Sequence, residues 1–188
     1  MKKILILALA VLTTACSSPT PHFYQPIAVQ TVTVTYPKVK STLLLNQVLL
    51  PAEAARPQIT TIGAKDYDVR IDEFNRWGAT PEKLVQRVLN QNLSLALPNA
   101  IIENQTPLRK NYKYAVAVEI TEMSGKLDKF ATLKSSYFIR NKMGRVVKSG
   151  RFANSVEISG GYEEYVPAQS SLLGELAELI AKDIARLP

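Results

Sequence analysis

The stretch Tyr112-Lys113-Tyr114-Ala115-Val116-Ala117-Val118-Glu119-Ile120-Thr121-Glu122 decides the fold, because large apolar residues recur in it at every second position. A period of two is typical of a β-strand with one buried and one solvated face, as in antiparallel sheets. Two further strand-like segments follow at 131–141 and 146–158, separated by the turn residues Met143 and Gly144. The second half of the chain is therefore predicted to form an antiparallel meander.

Two amphipathic helices are predicted on either side of this meander. Thr80 and Pro81 are an N-cap and a first helical residue in the favoured order, and apolar residues then recur at helical spacing until Pro98. The second helix is predicted over 167–187. Its core stripe is Leu172, Leu173, Leu176, Leu179, Ile180, Ile184 and Leu187.

Each predicted helix has one polar residue within its apolar face. A buried Asn must be hydrogen-bonded, so we expect Asn92 to tie its helix to a neighbouring backbone. For Asp183 two interpretations stay open: it meets a basic or indole partner across the core, or the helix end is exposed there.

The first half of the chain contains shorter strand-like segments. β-Branched residues alternate over Ile27–Tyr36, and strands are also predicted at 41–50, 58–62, 67–71 and 100–103. Together with the helices they predict a single α/β domain, a mixed and mostly antiparallel sheet with two main helices packed on it.

The N-terminus has the layout of a bacterial secretory signal. Lys2 and Lys3 precede an apolar run that is shorter than the roughly 20 residues needed to span a bilayer, and small residues follow it. We therefore expect residues 1–15 to be a removable signal peptide, 16–26 a lipidated N-terminus and tether, and 27–188 the folded domain.

Cys16, the only cysteine, follows the predicted cleavage site, which resembles a lipobox. Thr14 and Ala15 fit the small positions, whereas Thr13 stands where Leu is usual. The alternative is a plain secretory signal with an unrelated cysteine nearby. An unpaired thiol is unusual in an exported protein, so acylation of Cys16 is the favoured interpretation. Ser17 at the second mature position implies, by the sorting rule of such lipoproteins, the periplasmic face of the outer membrane.

Composition limits the chemistry that this chain can perform. The formal net charge of +7 falls to +5 without Lys2 and Lys3, too weak an excess to indicate nucleic-acid binding. With His22 as the only histidine and Cys16 acylated, neither a His/Cys metal site nor a histidine-based triad can be assembled. We therefore expect no enzyme activity and no cofactor.

Several surface features remain as candidate sites. The meander is rich in Lys and Arg, which indicates either protection of exposed strands or contact with an acidic partner or anionic lipid head groups. Tyr162 and Tyr165 follow Gly160-Gly161 and are predicted to lie in an exposed aromatic loop suited to an interface. Trp77 is predicted to be a core residue, with an interface anchor as the alternative. The acidic pairs Asp66/Asp68 and Asp72/Glu73 are interpreted as charges on the solvent side of a strand, with metal binding or acid–base chemistry as the alternative.

The order of several short motifs resembles that of a known family, the ABC-type transport auxiliary lipoprotein components. The motifs lie at 47–51, 56–59, 74–77 and 162–166, and further ones follow at 176–179 and 183–185. Gly78-Ala79-Thr80-Pro81 departs from the family's usual Ala-Glu-Pro after the tryptophan. The resemblance extends from about Ser41 to Leu187.

This resemblance implies an α/β fold, a docking role at the outer membrane and no catalytic residues. It further implies that the partner is a protein with mammalian-cell-entry domains, in a system that moves phospholipids between the two membranes. Direct contact with phospholipid and assembly into a homo-oligomer are further expectations. The alternative function is a structural lipoprotein that regulates envelope assembly or binds peptidoglycan.

Overall fold

A computed structural model of the 188-residue chain describes residues 19–30, 32–104 and 111–188. The predicted signal peptide and Cys16 lie outside the described residues.

Eight strands and two helices are present in the part of the chain that is described. The strands are β1 (His22–Tyr24), β2 (Thr42–Leu45), β3 (Gln58–Ile62), β4 (Val69–Trp77), β5 (Ile101–Asn104), β6 (Tyr114–Lys126), β7 (Phe130–Asn141) and β8 (Val146–Glu157). The helices are α1 (Pro81–Ala96) and α2 (Tyr162–Ala185).

The larger sheet has the strand order β5-β2-β6-β7-β8. The consecutive strands β6, β7 and β8 pair antiparallel, each with the next along the chain, which confirms the predicted meander. Strand β2 is parallel to both of its neighbours, β5 and β6, so the sheet is mixed. The fold class expected from the sequence is confirmed.

The strands of the first half do not all join this sheet. Strands β1, β4 and β3 form a second sheet, in which β1 is parallel and β3 antiparallel to β4. Strand β4 begins at Val69, two residues later than predicted, and continues to Trp77. Because β3 packs beside β6, the small sheet is part of the same domain.

Helices α1 and α2 pack against each other, and α2 also packs on β7 and β8. The inward residues of the meander, among them Val118, Tyr137 and Ile139, are 2% exposed or less. They meet the helical stripe predicted for α2, in which Leu172, Leu173, Leu176 and Ile180 are fully buried. Burying one such side chain contributes about 1.5–3 kcal/mol, so the packing of α2 on the meander stabilises the fold.

Two predicted elements are corrected by the structure. The strand expected over Ile27–Tyr36 is wrong, since its described residues pair with no sheet. Helix α2 begins at Tyr162 rather than at 167, and Pro167 lies within it. The predicted start was wrong because proline is most common in the first turn of a helix. In the structure the first turn carries Glu163 and Glu164, acidic residues that the helix dipole favours there.

Candidate functional site

The first described residues lead directly into the fold. His22–Tyr24 pair with Asn75–Trp77, and the Gly78 backbone N–H donates to the Tyr24 carbonyl over 2.7 Å. Pro26, two residues further on, is buried. The segment expected to be a tether, 16–26, is therefore built into the domain from His22 onward.

The segment that follows β1 runs along the helix pair, and we call residues 25–36 the strap. Its described residues, 25–30 and 32–36, pair with no sheet, so their N–H groups need other acceptors. Three of them donate to helix side chains: Ile27 to Ser170 Oγ (3.1 Å), Val29 to Asn92 Oδ1 (3.0 Å) and Thr33 to Glu178 Oε1 (2.6 Å). The Tyr36 N–H then donates to the Ala96 carbonyl over 2.8 Å, which fixes the far end of the strap at the end of α1.

Two buried residues allow the strap to approach the helices closely. Asn92 is fully buried, and its bond to the Val29 backbone confirms the expected tie between α1 and a neighbouring backbone. Gly174 of α2 faces the same residue: a Cβ there would lie 2.6 Å from Val29 Cγ1. Any larger residue at 174 would therefore push the strap outward.

An aromatic and acidic cluster joins β1 to the first turn of α2. The Tyr24 hydroxyl donates to Glu163 Oε1 (3.1 Å), and the Tyr24 and Tyr162 rings lie 5.8 Å apart between centroids. The Tyr162 hydroxyl donates to Asp72 Oδ2 over 3.1 Å. These contacts connect the small sheet to α2 at the point where the chain enters the domain.

Asp72 is the acceptor at the centre of this cluster and is 9% exposed. Its Oδ1 accepts the backbone N–H groups of Phe74 and Asn75, each at 2.9 Å. Burial raises the pKa of Asp72, but these bonds and the Tyr162 hydroxyl outweigh it and hold the pKa below its usual value. Burial and the neighbouring Asp72 carboxylate raise the pKa of Tyr162 to about 12.

The three residues singled out as interface candidates are all buried. Trp77, Tyr162 and Tyr165 are 7%, 6% and 1% exposed, and all three belong to the hydrophobic core. The core position of Trp77 is confirmed. The expected exposed aromatic loop is wrong, because residues 162–165 form the first turn of α2 and their rings pack inward. An interface role for these residues stays a prediction.

A second tyrosine–carboxylate pair lies at the other end of α2. The Tyr137 hydroxyl donates to Asp183 Oδ2 over 2.6 Å, and Lys148 Nζ lies 3.5 Å from Asp183 Oδ1. Asp183 thus meets Lys148, a basic partner as in the first of its two interpretations, together with Tyr137, which that interpretation did not include. Burial, followed by the Asp183 carboxylate, raises the pKa of Tyr137 well above its usual value.

The expectation that the acidic pairs are solvated strand residues is wrong in part, because Asp66 and Asp68 lie in the turn before β4 and Asp72 is buried. Asp68 Oδ2 accepts the Lys65 backbone N–H at 3.1 Å, Asp66 lies 3.5 Å from Lys126 Nζ, and the Gln58 amide donates to Glu73 at 3.1 Å. Among the described residues, no group of three or more His, Cys, Asp or Glu side chains is placed to hold a metal ion.

Sequence reasoning missed the strap and Tyr24. The strap's backbone donors meet side chains that are 63 to 145 residues away, and no local pattern signals such partners.

Neither described helix has both the length and the apolar composition required to cross a bilayer.

A family model and individual relatives both relate this chain to transport lipoproteins. Residues 24–181 match the family described as ABC-type transport auxiliary lipoprotein component. The chain is 28% identical over 191 residues to "Intermembrane transport lipoprotein PqiC" of Escherichia coli (strain K12), and the alignment covers 100% of both. The same figures hold for the protein of that name from Shigella flexneri.

Two solved structures share the fold. A crystal structure of an uncharacterized protein superposes with a TM-score of 0.74 at 20% identity, covering 88% of this chain and 99% of the other. A protein from Xanthomonas campestris gives a TM-score of 0.72 at 14% identity, with coverage of 87% and 95%. At these identities the likeness concerns the fold alone.

Proposed function

The chain belongs to the ABC-type transport auxiliary lipoprotein component family, and from this premise we propose that it is an outer-membrane lipoprotein, facing the periplasm, that serves intermembrane phospholipid transport. The family is one of transport auxiliary lipoproteins rather than a class of enzymes, and membership implies a membrane-associated place in the cell envelope. The expected resemblance is thereby confirmed at the level of the family.

The observation that carries the proposal is the way the chain enters the domain. Five residues separate Cys16 from His22, and the six residue steps between them reach at most about 20 Å. Strand β1 and the strap then follow with their backbones bonded to the small sheet and to both helices. An acyl group on Cys16 would therefore hold the β1 end of the domain close to a membrane, and the rest of the domain would project away from it.

The partner that we propose is a protein with mammalian-cell-entry domains. The relatives named as intermembrane transport lipoproteins over their full length support a role in such a system. We propose an accessory and docking role with no enzymatic step, with phospholipid as the cargo of the system.

Two variants test the anchor and its membrane. Cys16→Ala should leave the domain folded but release it from the membrane fraction, because acyl chains supply the attachment. Ser17→Asp keeps the acylated cysteine and should move the protein from outer-membrane to inner-membrane fractions on a density gradient. A Cys16→Ala protein that still sediments with membranes would overturn the anchor.

Co-purification tests the partner. The detergent-solubilised lipoprotein should retain a mammalian-cell-entry protein of the same organism, added in purified form. Binding of the domain to isolated peptidoglycan sacculi, with no retention of that protein, would instead support the alternative of a structural envelope lipoprotein. The molar mass of the solubilised lipoprotein by light scattering tests the expected homo-oligomer.

A further inference from the structure

Cationic side chains predominate at one end of α2 and carboxylates at the other. We call residues 38–41, 113–114, 140–148 and 182–188 the basic end. Nine exposed cations lie in it: Lys38, Lys40, Lys113, Arg140, Lys142, Arg145, Lys148, Lys182 and Arg186. Within these ranges the only acidic side chain is Asp183, which is 7% exposed and already bonded to Tyr137 and Lys148.

Pairing and packing bring these four segments together. Tyr114 pairs with Asn141 across β6 and β7, and its hydroxyl donates to the Pro188 carbonyl. Lys148 meets Asp183 between β8 and α2. Lys38, Lys40 and Lys113 surround a pocket of about 360 Å³ whose walls include Ile184 and Leu187 of the last helical turn and the chain that follows. The four segments that carry the cations are therefore neighbours in space.

The other end of α2 has the opposite balance. Residues 64–73, 126–130 and 157–164 carry eight carboxylates and four cations. Their contacts also converge, since the Asp128 N–H donates to the Gly160 carbonyl (3.0 Å) and Lys126 Nζ donates to the Ala64 carbonyl (2.9 Å). Strand β1 joins this acidic end through Tyr24 and Glu163.

Structural roles explain only part of the basic end. Lys182 and Arg186 suit the C-terminus of a helix, and Lys148 pairs with Asp183. Lysines on an exposed edge strand also prevent unwanted strand pairing. Lys142 and Arg145, however, lie in the β7–β8 turn, and Lys38 and Lys40 lie in a loop, where neither role applies.

The turn that carries Lys142 and Arg145 has a defined shape. Asn141 Oδ1 accepts the backbone N–H groups of Met143 (3.0 Å) and Arg145 (3.1 Å), and Gly144 has a φ of +77°, which glycine adopts readily. Met143 at the tip is 85% exposed. The turn backbone is thus held in one shape, and it presents two cations and one large apolar side chain to solvent.

The entry point of the chain sets the direction in which the basic end points. Helix α2 has 24 residues and is about 36 Å long. The chain enters at the acidic end, and the reach from Cys16 to His22 is only about 20 Å. A domain tethered in this way cannot turn its basic end to face the anchoring membrane head-on.

From this polarity we infer that the basic end is the surface by which the lipoprotein docks onto an acidic surface of its periplasmic protein partner. The inference rests on the proposed function, since it assumes attachment through Cys16 and a protein partner in the transport system. A protein partner is favoured over the anchoring membrane because the cations lie one helix length from the tethered end. Such a surface speeds and orients docking, and its effect weakens with salt.

Two matched double variants of the full acylated lipoprotein test this surface. Lys142→Glu/Arg145→Glu reverses two charges at the basic end, and Lys65→Glu/Lys129→Glu makes the same change in charge at the acidic end. The probe is the purified mammalian-cell-entry protein, and affinity is measured by biolayer interferometry at low and high salt. We expect the first variant to lose at least about tenfold in affinity and the second to stay close to wild type.

Each outcome separates the two proposals. Equal affinities for wild type and both variants would overturn the docking surface and leave the proposed function intact. An equal loss in both variants would also overturn it, since the attraction would then follow net charge. A wild-type protein that does not bind the probe would overturn the proposed partner and the surface with it. Binding of the wild type, but not of the 142/145 variant, to vesicles rich in phosphatidylglycerol without binding of the probe would show a lipid surface instead.

Discussion

At each end of α2 a buried carboxylate accepts a hydrogen bond from a tyrosine hydroxyl, and the two sites differ in what else reaches the carboxylate. Asp72 accepts two backbone N–H groups of its own strand besides the Tyr162 hydroxyl, and its Oδ2 lies 3.5 Å from the Arg70 guanidinium. Asp183 accepts Tyr137 and faces Lys148. The first site ties the small sheet to α2, and the second ties α2 to the meander.

The exposed charges around the two tyrosine–carboxylate pairs also differ. Near Asp72 the exposed charges are of both signs, and the Tyr24 hydroxyl donates to Glu163. Near Asp183 the surrounding exposed charges are cations from four segments. One end of the helix therefore uses its polar groups to hold the domain together at the chain's entry point, whereas the other end leaves most of its charge facing solvent.

The largest expected effect concerns the Asp72 site. Asp72→Ala removes the acceptor of two backbone N–H groups and of the buried Tyr162 hydroxyl, so the free energy of unfolding should fall by about 3 kcal/mol. Asp72→Asn retains an oxygen acceptor and should cost about 1 kcal/mol. Urea unfolding of both variants measures the difference. Equal costs would show that the charge, and not the acceptor, matters at this site.

Removing each tyrosine hydroxyl compares the two ends directly. Tyr137→Phe should cost about 2 kcal/mol, because Asp183 keeps only Lys148 as a partner. Tyr162→Phe should cost about 1 kcal/mol, because two backbone donors remain on Asp72. The two variants are compared by urea midpoints at the same pH. A larger cost at Tyr162 would reverse the comparison.

The Asp72 site should also be visible in the acid dependence of stability. Its pKa is lower in the folded protein than in the unfolded chain, so its contribution is present above the ordinary carboxyl pKa of about 4 and is lost as the pH falls through the folded value. The hydrogen bond from Lys134 lowers the pKa of Glu122 in the same sense. Thermal unfolding between about pH 5 and 2 should therefore show a shallower decline for Asp72→Asn than for wild type. Parallel curves would contradict the assignment.

The smallest expected effect is at the basic end. Lys142→Glu/Arg145→Glu should change the free energy of unfolding by no more than about 0.5 kcal/mol, because both side chains are exposed and the turn is held by Asn141 and Gly144. Urea unfolding of this variant checks that its binding defect is not a folding defect. A loss comparable with that of Asp72→Ala would mean that these cations are structural.

Local sequence patterns predicted much of the fold. The period of two in 112–122 and the helical spacing after Thr80 were sufficient to predict β6 and α1, because both patterns reflect one buried face of a regular element. The β-branched alternation of 27–36 predicted an extended backbone but also a sheet, which is wrong. An extended backbone takes any acceptor within reach, and here the acceptors are side chains of two helices.

The candidate site was less accessible to prediction. Tyr162 and Asp72 are 90 residues apart in the chain, and Tyr137 and Asp183 are 46 apart, so no spacing rule relates them. The sequence also showed the meander as uniformly basic. In the fold Lys126 meets Asp66 at one end and Lys134 meets Glu122, whereas Lys142 and Arg145 lie at the other end.

The sequence by itself determined the fold class, the two helices and the meander, since each follows from order and periodicity along the chain, and its short motifs carried the resemblance to the family. Only the tertiary structure decided that the chain enters at the acidic end, that the strap binds both helices and that the cations gather at the far end. These are relations between segments distant in sequence, and their positions depend on how the sheets and helices pack. The same packing buries Tyr162 and Tyr165 and leaves the basic turn exposed.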